Sequence, residues 1–242
     1  MSKVVMITGA SKGLGKALAL YFAKEGYDLA ICARGEKQLF EVKKEVQKLG
    51  INVLAVIADA SIPKDVERFI ALAEERFSRI DVLINNASTL GPSPMPYLLD
   101  YPEKDFSEVI RINSIGPFLV TRRVLPGMIL RNKGSVINVT SEAGNTGFAG
   151  WGAYGISKFA LEGLTETWAD ELSETAIRVN MVDPGEMDTE MHALAVPDCD
   201  YDLADPNDIV HVFGYLASDQ SSHITGKRFT AQDFSLKECD TK

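Results

Sequence analysis

Thr8-Gly9-Ala10-Ser11-Lys12-Gly13-Leu14-Gly15 closes an apolar run, Val4–Thr8, and leads directly into a helical pattern, Leu14–Lys24. Glycine lets the main chain take dihedrals that crowd other residues, and lets a ligand approach the backbone closely. The free N–H groups and partial positive charge at the start of a helix then suit a pyrophosphate. The spacing T-G-x-x-x-G-x-G differs from the G-x-G-x-x-G of most dinucleotide-binding domains, and no G-K-[ST] follows to make a P-loop. A plain strand-to-helix turn could use the same glycines. The nucleotide reading is favoured by the turn's place after the first strand of a repeating pattern.

That pattern extends outward along the chain. Short apolar runs recur at Asp28–Ala33, Asn52–Ala58, Val82–Asn85, Ser135–Thr140 and Arg178–Val182. Between them lie amphipathic stretches, Glu36–Leu49 and Asp65–Phe77, and later Ala153–Ser173. Strands and helices taking turns at this spacing predict βαβ units, and hence an α/β fold with a parallel sheet covered on both faces. No repeat or Pro/Gly/Ser-rich linker divides residues 1–242, so one domain is expected. Two stretches break the rhythm. Leu90–Pro102 carries four prolines and reads as a loop, while Glu186–Pro206 is acidic and reads as a mobile or irregular flap over the substrate.

Charge and cysteine content exclude several classes. With 25 Lys and Arg against 34 Asp and Glu, the formal charge is −9, which gives no general attraction for nucleic acid or anionic lipid. No run approaches the roughly 18 apolar residues of a membrane span, and the N-terminus lacks a signal-peptide shape. Cys32, Cys199 and Cys239 are scattered and stand apart from His192, His211 and His223, so neither disulfides nor a metal is expected. A reducing compartment, the cytoplasm, follows as the expected location.

The ends of the strands carry the candidate chemistry. Asp59, after the third, can accept a hydrogen bond from an adenine amino group, and Asn85-Asn86-Ala87 closes the fourth. Arg34 closes the second, where many NAD enzymes carry an acid for the ribose hydroxyls. Arg34 together with Lys12 would attract a 2′-phosphate, favouring NADP(H) over NAD(H), although either cation alone reads better as a solvated surface residue. Ser141 follows the fifth strand. Tyr154 and Lys158 lie four apart in Tyr-Gly-Ile-Ser-Lys, so a helix presents both on one face. A free phenol, near about 10, is a poor acid–base catalyst at neutral pH, and a neighbouring cation is expected to draw it toward working range. A Ser-His-Asp hydrolase is the rival for a reactive serine, but the chain has no G-x-S-x-G elbow.

Taken together, these residues resemble the short-chain dehydrogenase/reductase family over nearly the whole chain. The Thr8–Gly15 turn matches its T-G-x-x-x-G-x-G, and Asn85-Asn86-Ala87-Ser88 matches its N-N-A-G except at Ser88. Asn113, Ser141, Tyr154 and Lys158 fall in the order of its Asn-Ser-Tyr-Lys tetrad, and Pro184-Gly185 with Thr189 matches its P-G-x-x-x-T. The resemblance implies a three-layer Rossmann fold with a seven-stranded parallel sheet in the order 3-2-1-4-5-6-7, and a homotetramer or homodimer. It implies hydride transfer at the nicotinamide, with Tyr154 exchanging the proton of the substrate oxygen and Ser141 hydrogen-bonding that oxygen. Lys158 would lower the Tyr154 pKa and hold the ribose, and Asn113 would hold a water joining Lys158 to solvent. Gly9, Lys12, Gly13 and Leu14 would cradle the phosphates with a hydroxyl from Ser11, Asp59 and Ala60 would flank the adenine, and Gly15, Asn86 and Ala87 would also meet the cofactor. Pro184, Gly185, Met187 and Thr189 would meet the nicotinamide.

The chain departs from the family at Ser88 and in its C-terminal Thr225-Gly226 segment, which lacks the common D-G-G ending and so weakens the tetramer assignment. For substrate contacts Glu142, Trp151 and His192 are the candidates, with Phe148 and Met191 beside them. Glu142, Glu186, Asp188, Glu190 and Asp198 read either as a solvated acidic surface or, if they face the cleft, as a barrier to anionic substrates. The expectation is an NADP(H)-dependent oxidoreductase acting on a neutral ketone, aldehyde or secondary alcohol. Its alternatives are an NAD-dependent polyol or sugar dehydrogenase and a non-catalytic nucleotide sensor.

Overall fold

The computed structural model describes residues 2–235, and Cys239 lies outside them. Seven strands, β1 (Val4–Thr8), β2 (Asp28–Ala33), β3 (Val53–Ile57), β4 (Val82–Asn85), β5 (Gly134–Val139), β6 (Ile177–Asp183) and β7 (Arg228–Thr230), form one parallel sheet. Their order is β3-β2-β1-β4-β5-β6-β7, as the resemblance implies. Helices α1 (Gly13–Lys24), α2 (Glu36–Gln47) and α8 (His211–Ala217) cover one face, and α3 (Pro63–Phe77), α5 (Gly116–Arg131) and α6 (Gly152–Glu171) the other. The two-residue period of a strand divides its side chains between them. Val5 and Ile7 of β1 join the α1/α2/α8 core while Met6 joins the α3/α5/α6 core, and β2 divides Leu29 and Ile31 from Ala30 and Cys32 in the same way. With both faces covered, the central strands read as unbroken apolar runs.

Several elements lay outside the sequence pattern. A short helix α4 (Glu103–Ile110) passes through a π-helical turn, Arg111–Ile115, into α5, and Pro126 lies within α5. The extra residue of the π turn and the internal proline break the 3.6-residue period by which a helix is recognised. The flap is also more ordered than its composition suggests. It contains α7 (Glu190–Ala195), capped by Thr189, and a bridge pairing Met187 with Ala204. The order of the sheet reverses between β1 and β4, and both the glycine turn and Asn86 lie at that switch point, where open α/β sheets bind ligands. Among the described residues, no helix is long and apolar enough to cross a membrane.

Candidate active site

The glycine turn is shaped by two close approaches. Gly9 has φ +67°, a region that disfavours side chains, and a Cβ there would lie 2.8 Å from the Ala87 Cα. A Cβ on Gly15 would be driven into the Gly9 carbonyl and the Asn86 side chain. The turn is fastened to the end of β4: Asn86 Nδ2 donates to the carbonyls of Thr8 and Gly9, each at 3.0 Å, and the Thr8 hydroxyl accepts from the Asn86 and Ala87 amides, each at 3.1 Å. The Asn86 side chain is therefore structural, and leaves the main chain to meet a ligand.

From this turn a cleft of about 1370 Å³ runs along the ends of the strands. Gly9, Ser11, Lys12, Gly13, Leu14, Gly15, Arg34, Asp59, Ala60, Asn86 and Ala87 line it, together with Ser141, Tyr154 and Lys158. So do Pro184, Gly185, Met187 and Thr189, and the substrate candidates Glu142, Trp151 and His192. Asn113 does not reach it. That residue is buried behind Thr89, whose amide it accepts at 2.8 Å and to whose carbonyl it donates at 2.8 Å, and its amide nitrogen also meets Ser157 Oγ at 3.0 Å. Its side chain is thus taken up in holding the loop that follows β4.

Helix α6 brings Tyr154 and Lys158 to the cleft on one face, but their electrostatics differ from the expectation. Burial pushes the Tyr154 phenol up to about 12, with the Asp183 carboxylate adding and the Ser141 hydroxyl opposing. Lys158 lies next to this phenol. The ammonium lies 5.4 Å from the centre of the phenol ring and donates to the Val139 carbonyl at 2.8 Å. Burial lowers Lys158 to about 8, against the pull of Asp183 and Glu162. In each group desolvation outweighs the neighbours that oppose it. Ser141, in extended backbone, caps a short 3₁₀ turn, Glu142–Gly144, with its Oγ accepting from the Ala143 amide at 3.3 Å. Trp151 packs edge-on against Tyr154, ring centres 5.6 Å apart.

Two cations expected to act together are in different circumstances. Arg34 is exposed beside the cleft and makes no hydrogen bond or ion pair with a described residue. Lys12 is ion-paired with Glu190 of α7, which ties the flap to the glycine turn. Glu142, Glu186, Asp188 and Glu190 line the cleft, and Asp198 does not. In the flap, Glu186 accepts from Tyr201 OH at 2.8 Å and lies 3.4 Å from His192 Nε2. The Ser88 hydroxyl is buried beside this same cleft with no hydrogen-bond partner among the described residues.

Some residues at the site gave no sequence signal. Arg228 of β7 reaches Ser141 and Asp183, and Gln232 donates to the carbonyls of Pro184 and Glu186 at 3.2 and 2.8 Å. In the sequence that segment stands out only by its departure from D-G-G.

Comparison with known proteins agrees with this geometry. The family model for short chain dehydrogenase matches residues 3–200. The 3-oxoacyl-[acyl-carrier-protein] reductase FabG of Thermotoga maritima is 35% identical over 235 residues, covering 93% of this chain and 94% of that protein. A solved NAD⁺-bound xylitol dehydrogenase superposes with a TM-score of 0.86 at 31% identity, covering 94% of this chain and 96% of that one. A short chain dehydrogenase from Escherichia coli CFT073, complexed with NADPH, superposes at 0.88 with 29% identity, covering 95% and 96%. By the family match and by these identities, this chain belongs to the short-chain dehydrogenase/reductase family of oxidoreductases.

Proposed function

We propose that this protein transfers a hydride between NADP(H) and a small neutral ketone or aldehyde, or the corresponding secondary alcohol. The observation that carries the reading is the gathering of Ser141, Tyr154 and Lys158 in one cleft with the glycine turn. The residues fit a dinucleotide. A Cβ would fill the cradle at Gly9 and Gly15, and no side chain caps the start of α1, so its first N–H groups suit a phosphate. Ser11, Gly13 and Leu14 would join them there, Asp59 and Ala60 would flank the adenine, and Asn86 and Ala87 would meet the ribose. Pro184, Gly185, Met187 and Thr189 would meet the nicotinamide, which when bound supplies or accepts the hydride.

The chain's own residues handle the oxygen and its proton. With a pKa near 12, Tyr154 keeps its proton at neutral pH and can give it to a carbonyl oxygen as charge develops there. Lys158, near 8, is then mostly protonated and stabilises the phenolate left behind. Ser141 donates its hydroxyl to the same substrate oxygen. With its side chain taken up, Asn113 would hold a proton-relay water through its main chain. Glu142, Glu186, Asp188 and Glu190, which line the cleft with Trp151, Phe148 and Met191, favour a neutral substrate over a carboxylate, a phosphate or an acyl carrier. Exposed Ile156 and Phe159 on α6 support assembly into a homo-oligomer.

A second reading, an NAD-linked polyol or sugar dehydrogenase, is favoured by the Lys12–Glu190 pair, because a carboxylate beside Lys12 opposes a 2′-phosphate. Titration with NADPH and NADH, followed by quenching of Trp fluorescence and by melting temperature, decides between the two. Tighter NADPH binding supports Arg34 as a phosphate site; tighter NADH binding replaces it with the second reading. Tyr154→Phe should abolish turnover while cofactor still binds, and unchanged turnover would refute the role given to the phenol.

A further inference from the structure

The hydrogen-bond ladder between β5 and β6 ends where the site begins. Thr140 N donates to the Val182 carbonyl at 2.8 Å, and beyond it Ser141 and Asp183 belong to diverging segments. Arg228 spans the gap. Its Nη2 donates to the Ser141 carbonyl at 3.1 Å and to Asp183 Oδ2 at 2.8 Å, while Nε donates to Glu162 Oε1 at 3.1 Å. The partners are themselves braced. Asp183 Oδ1 accepts from the Gly185 amide at 2.9 Å, and Glu162 Oε1 accepts from the Thr140 hydroxyl at 2.6 Å. Asp183 and Glu162 are largely buried, their side chains 8% and 13% exposed. One guanidinium therefore neutralises part of two buried carboxylates and also holds a main-chain carbonyl. A planar fork of donors can do this; an ammonium, a compact point charge, meets the same partners less well.

We propose that Arg228 is a positioning residue for the reaction. It acts as a side-chain rung that continues the β5–β6 ladder, and so sets the spacing between Ser141 and the Asp183–Gly185 turn. The inference rests on the reading of Ser141 and Pro184-Gly185 given above. Arg228 acts through the main chain of Ser141, whose other backbone tie, accepting from the Gly144 amide at 2.8 Å, is local and cannot hold it against β6. Asp183 and Glu162 also face Lys158 closely enough to favour its charged form, so the same network supports the ammonium.

The test compares steady-state kinetics of the wild type, Arg228→Lys, Ser141→Ala and the double variant, on a carbonyl substrate the wild type reduces. Arg228→Lys keeps the charge that compensates the two carboxylates and loses the fork. Its kcat should fall about 10- to 100-fold, the scale of a small misplacement at a reacting centre, with cofactor affinity within about threefold of wild type. The double variant should be no slower than Ser141→Ala by more than about threefold, because the two act as one unit. A kcat for Arg228→Lys within twofold of wild type, or losses that multiply in the double variant, overturns the proposal. If Arg228→Lys does not fold by circular dichroism, the uncharged triple variant Glu162→Gln/Asp183→Asn/Arg228→Gln carries the same comparison. An inactive wild type would sink the parent reading and this inference with it; an active wild type with an unaffected Arg228→Lys sinks this inference alone.

Discussion

Replacing Gly9 by alanine separates the two reasons for a glycine at that position, because Gly26 provides a control. Both have positive φ, +67° and +80°, but a Cβ on Gly26 would meet nothing within 4 Å, whereas one on Gly9 would lie 2.8 Å from Ala87 Cα and 3.0 Å from Ala87 N. The left-handed conformation costs an alanine about 1–2 kcal/mol, offset in part by about 0.4–1 kcal/mol from a less disordered unfolded chain. Gly26→Ala should therefore lose about 1 kcal/mol. At Gly9 the overlap is with backbone, and the Ala87 amide is held by the Thr8 hydroxyl, so it cannot retreat without breaking that bond. Overpacking of this kind adds about 1–3 kcal/mol, for a total near 2–4. For a chain of this size each kcal/mol moves the midpoint by about 2–4 °C. Thermal melts should show Gly26→Ala lower by about 2–4 °C and Gly9→Ala lower by about 5–15 °C. Gly9→Ala should also lose at least about tenfold in cofactor affinity, equivalent to about 1.4 kcal/mol, since the cradle itself must shift. Equal melting of the two variants, with cofactor binding intact in Gly9→Ala, would refute the close-approach argument.

Other consequences follow from the charges. Lys158 releases its proton near 8 in the folded chain, against 10.5 ordinarily, so below 8 the native state bears the full penalty of a buried charge and above 10.5 bears none. Stability from this group should rise across pH 8–10.5, by up to about 3 kcal/mol, and Tm measured against pH should climb more steeply for wild type than for Lys158→Met. Parallel curves would contradict the buried ammonium. Tyr154 runs the other way: its folded-state pKa is raised from 10.0 to about 12, so it subtracts stability only above about pH 10. Glu190→Gln, which frees Lys12, should tighten NADPH severalfold and leave NADH unchanged in fluorescence titrations; an equal effect on both would remove Lys12 from the phosphate site. Because that pair is exposed, Tm should change by no more than about 1 kcal/mol would cause.

The sheet and the candidate catalytic residues are legible because they are local patterns. Alternating apolar runs gave six strands to within a residue or two, and Tyr154 and Lys158 announce themselves four apart. What escaped depends on contacts that bring distant segments together. β7 is three residues, Arg-Phe-Thr, half-buried at the sheet edge, with no apolar run to mark it. Arg228 meets Glu162, Asp183 and Ser141 across 66, 45 and 87 positions, and no spacing rule joins them. The raised Tyr154 pKa is hidden from the sequence for the same reason: a motif shows a cation nearby, whereas the depth of burial belongs to the assembled protein.

The grip of Asn113 on both backbone groups of Thr89 makes a side chain do what a neighbouring strand would do. The wall of the cleft after β4 is thereby anchored to the helix beneath it rather than to the proline-rich loop that continues from it. Of Leu90–Pro102 only Leu90 lines the cleft, so the rest of that segment can change in length or sequence while the wall at Thr89 keeps its place.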